Sequence, residues 1–330
     1  MTPPPIAVIP VAGTGTRLRP HTHSAPKVLL NVAGKPILAY ILDDLPALGI
    51  HEVVLIIGYL GDRIRDYVDR HYPDLKVHYV EQKEQLGLGH AVSLAEPHAG
   101  AAPLLIILGD TIFAADLASV LAGRTHSIGV KIVEDPRRFG IVETDGSGRI
   151  TRMVEKPEHP TSRLAITGVY YFTSGAPLFA ALRELQKKDV RTRGEFQLTD
   201  GMQLLVERGE TITTFPIEGW YDCGKFETLL ETNRVLLERH AMSPLVPGSI
   251  VHPPVVIAED AVVEGSILGP HVTIAAGARV RNAIVRNAIV NENATVEDVL
   301  VEDSVVGDNA VVRGGFRRVN VGDSSEVQLN

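Results

Sequence analysis

Ile6-Ala-Val-Ile-Pro-Val-Ala-Gly-Thr-Gly-Thr-Arg-Leu-Arg-Pro20 sets a continuous apolar run directly before a glycine-rich, cationic turn. The run Ile6–Val11 does not alternate apolar with polar residues, and strands of that texture are covered on both faces. The same texture recurs at Val53–Gly58, Leu104–Leu108 and Ile128–Val133. Between the first two runs lies Pro36–Leu48, where Ile37, Ile41, Leu45 and Leu48 recur at helical spacing. Pro36 suits a first helical turn and Gly49 its exit. Strand, helix and strand in this order predict an α/β fold with a mostly parallel, Rossmann-like sheet covered by helices.

Further along, Phe139–Thr144 and Arg149–Glu155 flank Asp145-Gly-Ser-Gly148 and read as a β-hairpin. Helices are predicted around Pro177–Lys188, Gln197–Arg208 and Lys225–His240, with a strand at Thr211–Pro216. After about Ala241 aromatics nearly vanish and small, β-branched and Gly/Asn/Asp residues dominate. Aliphatic residues then recur at intervals of six: Ile257 and Val263; Leu268, Ile274 and Val280; Val290 and Val296; Val306 and Val312. Ile274, Val290 and Val306 are themselves 16 apart. That period predicts a parallel β-helix of about three or four coils. The expected boundary near Met242–Pro247 gives a catalytic domain at 1–241 and a β-helix domain at 242–330.

Composition narrows the function. The 330 residues carry a formal net charge of −8, which argues against a nucleic-acid surface. The single cysteine, Cys223, rules out an internal disulfide and fits a reducing, cytoplasmic setting. No basic segment leads into an apolar one at the start, and no apolar run reaches the roughly 20 residues of a membrane span.

The glycine-rich turn after a buried strand lets backbone N–H groups approach a phosphate or a flat base. Two familiar phosphate loops do not fit it. Leu18 stands where a dinucleotide fingerprint needs its third glycine, and no Gly-Lys-Ser/Thr follows. Instead Arg17 and Lys27 lie one short loop apart and can neutralise a triphosphate together. Asp110, at the tip of a buried run, and Asp222 are carboxylates that burial would make costly without a partner or cation. His21 and His23 read as a solvated loop, Cys223 lacks an evident general base, and Asp62–Arg70 reads as a wet helix face.

Gly13-Thr-Gly-Thr-Arg17, Arg19-Pro20, Pro26-Lys27 and Lys35-Pro36 together resemble the signature of the sugar-phosphate nucleotidylyltransferases. Within that family the chain most resembles long-form glucose-1-phosphate thymidylyltransferases, which carry a C-terminal left-handed β-helix. It is also similar to UTP–glucose-1-phosphate uridylyltransferases. Matching segments follow in family order: Glu81-Gln82 with Leu86-Gly-Leu-Gly-His-Ala91, Leu108-Gly-Asp110, Glu155-Lys156-Pro157, Gly194-Glu195 with Thr199-Asp200, and Trp220-Tyr-Asp-Cys-Gly224. Ala12 stands where the family more usually has glycine, and Thr111 where it has Asn.

The resemblance implies roles. Ala12, Gly13, Gly15 and Thr16 line the nucleotide, and Gln82 with the backbone at Gly87 recognises a pyrimidine edge. An amide offers a donor and an acceptor, which suits uracil or thymine. Asp110 and Asp222 hold Mg²⁺, an ion suited to hard oxygen ligands. Glu155 binds sugar hydroxyls and Lys156 the sugar phosphate, with Gly140, Gly168 and Tyr170 lining the hexose. Glu195 and Asp200 are mainly architectural.

The implied reaction is an in-line displacement with no protein nucleophile. The sugar-1-phosphate attacks the α-phosphorus of dTTP or UTP and releases pyrophosphate, with Arg17, Lys27 and Lys156 as catalytic cations. The partners implied are a nucleoside triphosphate and a hexose-1-phosphate, most simply glucose-1-phosphate, with neither nucleic acid nor membrane. The β-helix suggests a homo-oligomer. Three alternatives stand beside this reading: a GDP-mannose-type guanylyltransferase, a non-catalytic nucleotide-sugar-sensing subunit, and a bifunctional enzyme whose coils act as an acyltransferase through His252 or His271.

Overall fold

A computed structural model describes residues 3–240 and 244–314. The chain forms two compact units, Met1–Leu30 with Lys35–Leu229, and Asn31–Gly34 with Leu230–Asn330. The expected boundary residue Met242 lies outside the described residues, as does the end of the expected second domain.

In the first unit, Ile6–Pro10 sits at the centre of a nine-stranded sheet. It pairs in parallel with Leu104–Ile107 on one side and Glu52–Ile57 on the other, and Lys76–Glu81 pairs with Glu52–Ile57 to close that edge. The continuous apolar runs have a simple cause. Side chains alternate across a strand, so Val8, Val54 and Ile106 enter one core while Ile9, Leu55 and Ile107 enter another. Helices Leu88–Ser93, Ala176–Lys187 and Leu198–Glu207 cover the first face. Helices Ile37–Asp44 and Gly61–His71 cover the second.

Beyond Leu104–Ile107 the sheet becomes mixed. The nine-residue strand Leu164–Phe172 runs antiparallel to it and to His126–Ile132, which Ile212–Pro216 joins in parallel. The expected hairpin forms from Gly140–Thr144 and Ile150–Glu155. Its turn is set by Asp145, whose carboxylate accepts from the backbone N–H groups of Ser147 and Arg149. A sheet expected to be mostly parallel is therefore mixed, because this hairpin and the Leu164–Phe172 strand run back against their neighbours. Thr111–Ala114 and Gly219–Asp222 form a separate antiparallel ribbon with Asp222 opposite Thr111.

The second unit carries stacked parallel strands in three columns. Ile250, Ile267, Ile284 and Leu300 align in one, Val255, Val272, Ala288 and Ser304 in the next, and Val262, Arg279, Thr295 and Val311 in the third. Leu268, Ile274, Val280, Val290, Val296 and Val306 fill the interior. The 16-residue repeat read from the sequence holds for later coils. Earlier register steps, such as Val255 to Val272, are 17 residues. The extra residue falls in turns that contain proline, Pro253-Pro254 and Gly269-Pro270-His271, which the coil at Arg286-Asn287 lacks. Asn233, on helix Phe226–His240, is fully buried and ties this unit together: its Oδ1 accepts from Ala33 N–H and from the Thr273 hydroxyl.

Candidate active site

Three parallel strands release their chains on the same edge of the sheet, where ligands of such sheets bind. Ile6–Pro10 leads into the glycine-rich turn, Lys76–Glu81 into Gln82, and Leu104–Ile107 into Asp110. Gly15 takes φ +62°, and a Cβ there would meet Thr22 Cγ2 at 2.9 Å and Lys27 Cβ at 3.1 Å. Glycine therefore lets the turn fold down over Lys27, and the Thr22 hydroxyl fixes it by donating to Gly15 O. Nothing lies within 4 Å of a Cβ built on Gly13, so that stretch of backbone faces open space.

Two cavities adjoin at this edge. The first, of about 360 Å³, is lined by Ala12, Gly13, Gly15, Thr16, Lys27, Gln82 and Gly87. The second, of about 620 Å³, is lined by Gly140, Glu155, Lys156, Gly168, Tyr170 and Asp222. Arg17, Leu88, Leu108, Asp110 and Glu195 belong to both. Every residue that the sequence nominated for nucleotide, sugar phosphate or metal thus lines one cavity or the other, whereas Asp200 lines neither.

Lys27 is buried, and its ammonium donates to Asp110 Oδ2 at 2.6 Å. Burial of an ammonium demands such a partner. Among the described residues the other Asp110 oxygen meets only a long 3.5 Å contact from the Thr111 hydroxyl. The ribbon brings Asp222 beside Asp110 in space, 112 residues later in the chain. A Cβ on Gly224 would lie 2.7 Å from Asp222 Oδ1 and 3.3 Å from Arg17 Nη2, so glycine allows that carboxylate and that guanidinium to converge. Among the described residues no three His, Cys, Asp or Glu side chains cluster as a metal cage. Two carboxylates facing one cavity still fit a hard divalent cation that takes its other ligands from water and phosphate.

In the second cavity, Glu155 Oε2 accepts from the Thr199 hydroxyl at 2.7 Å, and Oε1 lies 3.2 Å from Lys156 Nζ. Lys156 holds φ +42°, a left-handed conformation uncommon for a residue with a side chain. Its N–H donates to Phe139 O, and its own carbonyl accepts from Arg193 Nη2 at 2.8 Å. Gly168, at φ +89°, leaves room for Leu108, whose N–H donates to Gly168 O. Burial, and then the charge of Glu155, push the Tyr170 hydroxyl pKa up and keep it protonated.

Sequence reading passed over Thr199 as a support of Glu155, and over Arg193, which lines the second cavity. It also passed over Gln85, whose amide donates to Ala12 O at 3.1 Å. None has a local signature. Gln82 is 4% exposed, and its Nε2 donates to Gly87 O and meets His90 Nδ1, each at 3.1 Å. Its donor capacity is spent inside the protein. Cys223 is fully buried, and no helix among the described residues is long and apolar enough to cross a membrane.

Comparison with known proteins identifies the family. A family model described as nucleotidyl transferase matches residues 6–239. A glucose-1-phosphate thymidylyltransferase of Streptomyces antibioticus is 36% identical over 293 residues, covering 84% of this chain and 80% of that protein. A UTP–glucose-1-phosphate uridylyltransferase of Haloferax volcanii is 37% identical over 221 residues, covering 65% of this chain and 88% of that one. Among solved structures, a UDP-glucose pyrophosphorylase complexed with UDP-glucose superposes with a TM-score of 0.63 at 26% identity, covering 72% of this chain and all of that one.

Proposed function

The chain belongs to the nucleotidyl transferase family and is a sugar-1-phosphate nucleotidyltransferase, and from that premise we propose that it joins dTTP or UTP to glucose-1-phosphate with Mg²⁺. The observation that carries this reading is the pair of adjoining cavities with Arg17 and Asp110 in their common wall. One cavity takes the nucleotide and the other the sugar phosphate, so the α-phosphorus and the attacking oxygen meet at the shared residues.

In this reading Lys156 holds the attacking phosphate, Arg17 the departing pyrophosphate, and Lys27 the charge near the α-phosphate. No side chain forms a bond to substrate. The rate comes from orientation and from fixed positive charge aimed at the transferring group. Asp110 and Asp222 would hold the Mg²⁺, and the bound ion would supply charge neutralisation at the phosphates. Glu155, steadied by Thr199, accepts from sugar hydroxyls. Gln82 and the Gly87 backbone face the base, with the amide oxygen as acceptor and the Gly87 N–H as donor. The similarity to both a thymidylyl- and a uridylyltransferase supports a pyrimidine and leaves two candidates for it.

The same proposal assigns residues 1–241 to catalysis and 242–330 to a left-handed β-helix that mediates homo-oligomerisation, in a cytoplasmic enzyme. Pyrophosphate release tests the activity, measured with dTTP, UTP, GTP and ATP against several sugar-1-phosphates. Turnover led by dTTP or UTP with glucose-1-phosphate is expected. A strong purine preference would overturn the base assignment.

A further inference from the structure

The Gln82 amide can be oriented without ambiguity. Gly87 O is an acceptor only, so the atom 3.1 Å from it must be the amino group; the flipped amide would oppose two oxygens. That carbonyl is itself fixed, because it also accepts from Ala91 N–H at the start of helix Leu88–Ser93. The nitrogen of the same amino group also lies 3.1 Å from His90 Nδ1, to which its second hydrogen is donated. Nδ1 must then be the unprotonated ring nitrogen. Burial, opposed by the charge of Glu84, lowers the His90 pKa and favours that neutral ring. Gln82 Oε1, by contrast, has no hydrogen-bond partner among the described residues, and Gln82 lines the first cavity.

We propose that His90 is a positioning residue for base selection. By accepting from Gln82 Nε2 it completes a lock that turns Oε1 toward the base and prevents the amide from flipping. The inference rests on the assignment of Gln82 to the base site. An acceptor locked in that position demands a ring N–H opposite it. Uracil and thymine carry one at N3, whereas cytosine presents a lone pair there and would face Oε1 with like charge. The alternative amide orientation, which would welcome cytosine, sets Oε1 against Gly87 O and keeps a bond to His90 only if the ring moves its proton to Nδ1. The lock therefore selects against cytidine nucleotides, a discrimination separate from that against purines.

The test compares kcat/KM for UTP, dTTP and CTP, with glucose-1-phosphate, in the wild type, His90→Ala, His90→Gln and Gln82→Ala. The UTP-to-CTP ratio is the readout, because loss of folded enzyme scales both nucleotides equally. One net hydrogen bond corresponds to about a five- to tenfold fall in that ratio for His90→Ala. His90→Gln, whose side-chain carbonyl can accept the same hydrogen, should recover most of it. A ratio unchanged in His90→Ala but lost in Gln82→Ala overturns the role of His90 and leaves the base assignment standing. A wild type that does not distinguish UTP from CTP overturns the assignment of Gln82 and the proposal with it.

Discussion

Replacing Gly140 by alanine isolates the cavity proposed to hold the sugar phosphate. Gly140 lies opposite Glu155 in the hairpin and does not have a positive φ, so the backbone accepts alanine without strain. Space is the obstacle. The new Cβ would lie 2.9 Å from Glu155 Oε2 and 3.1 Å from both Thr199 Oγ1 and Ile166 Cδ1. Ordinary contact needs about 3.5 Å or more, so the methyl must push the carboxylate and the hydroxyl aside. Those two groups share the 2.7 Å hydrogen bond that fixes Glu155. A hydrogen bond to a charged group contributes about 1.5–3 kcal/mol. Its loss converts to roughly a ten- to hundredfold fall in kcat/KM for the sugar-1-phosphate. Steady-state pyrophosphate release, with each substrate varied in turn, separates the two halves: KM for the nucleotide should change by less than about twofold. Thr199→Val removes the same bond without crowding Gly140 and should give a similar loss. Unchanged sugar kinetics in Gly140→Ala, or equal damage to both substrates, would refute the reasoning.

Two other perturbations probe charge. Asp110→Asn and Asp222→Asn should each lower turnover by about two to three orders of magnitude, while circular dichroism shows an intact fold and urea unfolding shows lower stability for Asp110→Asn, which leaves the buried Lys27 ammonium without its carboxylate; near-normal rates in both would remove the metal assignment. His126 concerns stability. Its Nδ1 accepts from Thr173 N–H at 3.1 Å, Nε2 lies 3.7 Å from Glu210, and burial lowers its pKa against the opposing effect of Glu210. The unfolded chain then binds the proton more readily, so stability rises with pH up to about 6.5 and is lost on acidification below it. His126→Asn should flatten that slope between about pH 5 and pH 7 in urea titrations; a slope identical to wild type would exonerate the ring.

The parts of the fold visible in the sequence are those that physics makes periodic. Ile6–Val11 and Leu104–Leu108 read as buried strands because both faces of each are covered, and the 16-residue spacing of Val290 and Val306 marks stacked coils. What stayed hidden depends on contacts far apart in the chain. Nothing local shows that Asp222 pairs beside Thr111, or that the Arg193 guanidinium secures the carbonyl of a left-handed Lys156. The Gln82 amide looked two-sided in sequence, and only its contacts with Gly87 O and His90 reduce it to an acceptor. The 17-residue coils were obscured by one extra residue at each proline turn.

The common wall of the two cavities also bears on descent. Residues lining the first cavity largely follow the parallel strands, whereas the second cavity draws on the hairpin and the antiparallel Leu164–Phe172 strand. Only Arg17, Leu88, Leu108, Asp110 and Glu195 answer to both. With the nucleotide in the first cavity and the sugar phosphate in the second, as proposed, substitutions that change the accepted base can accumulate without disturbing the choice of sugar, and the reverse holds too. One scaffold can in this way diversify along two independent axes while its transfer chemistry stays fixed.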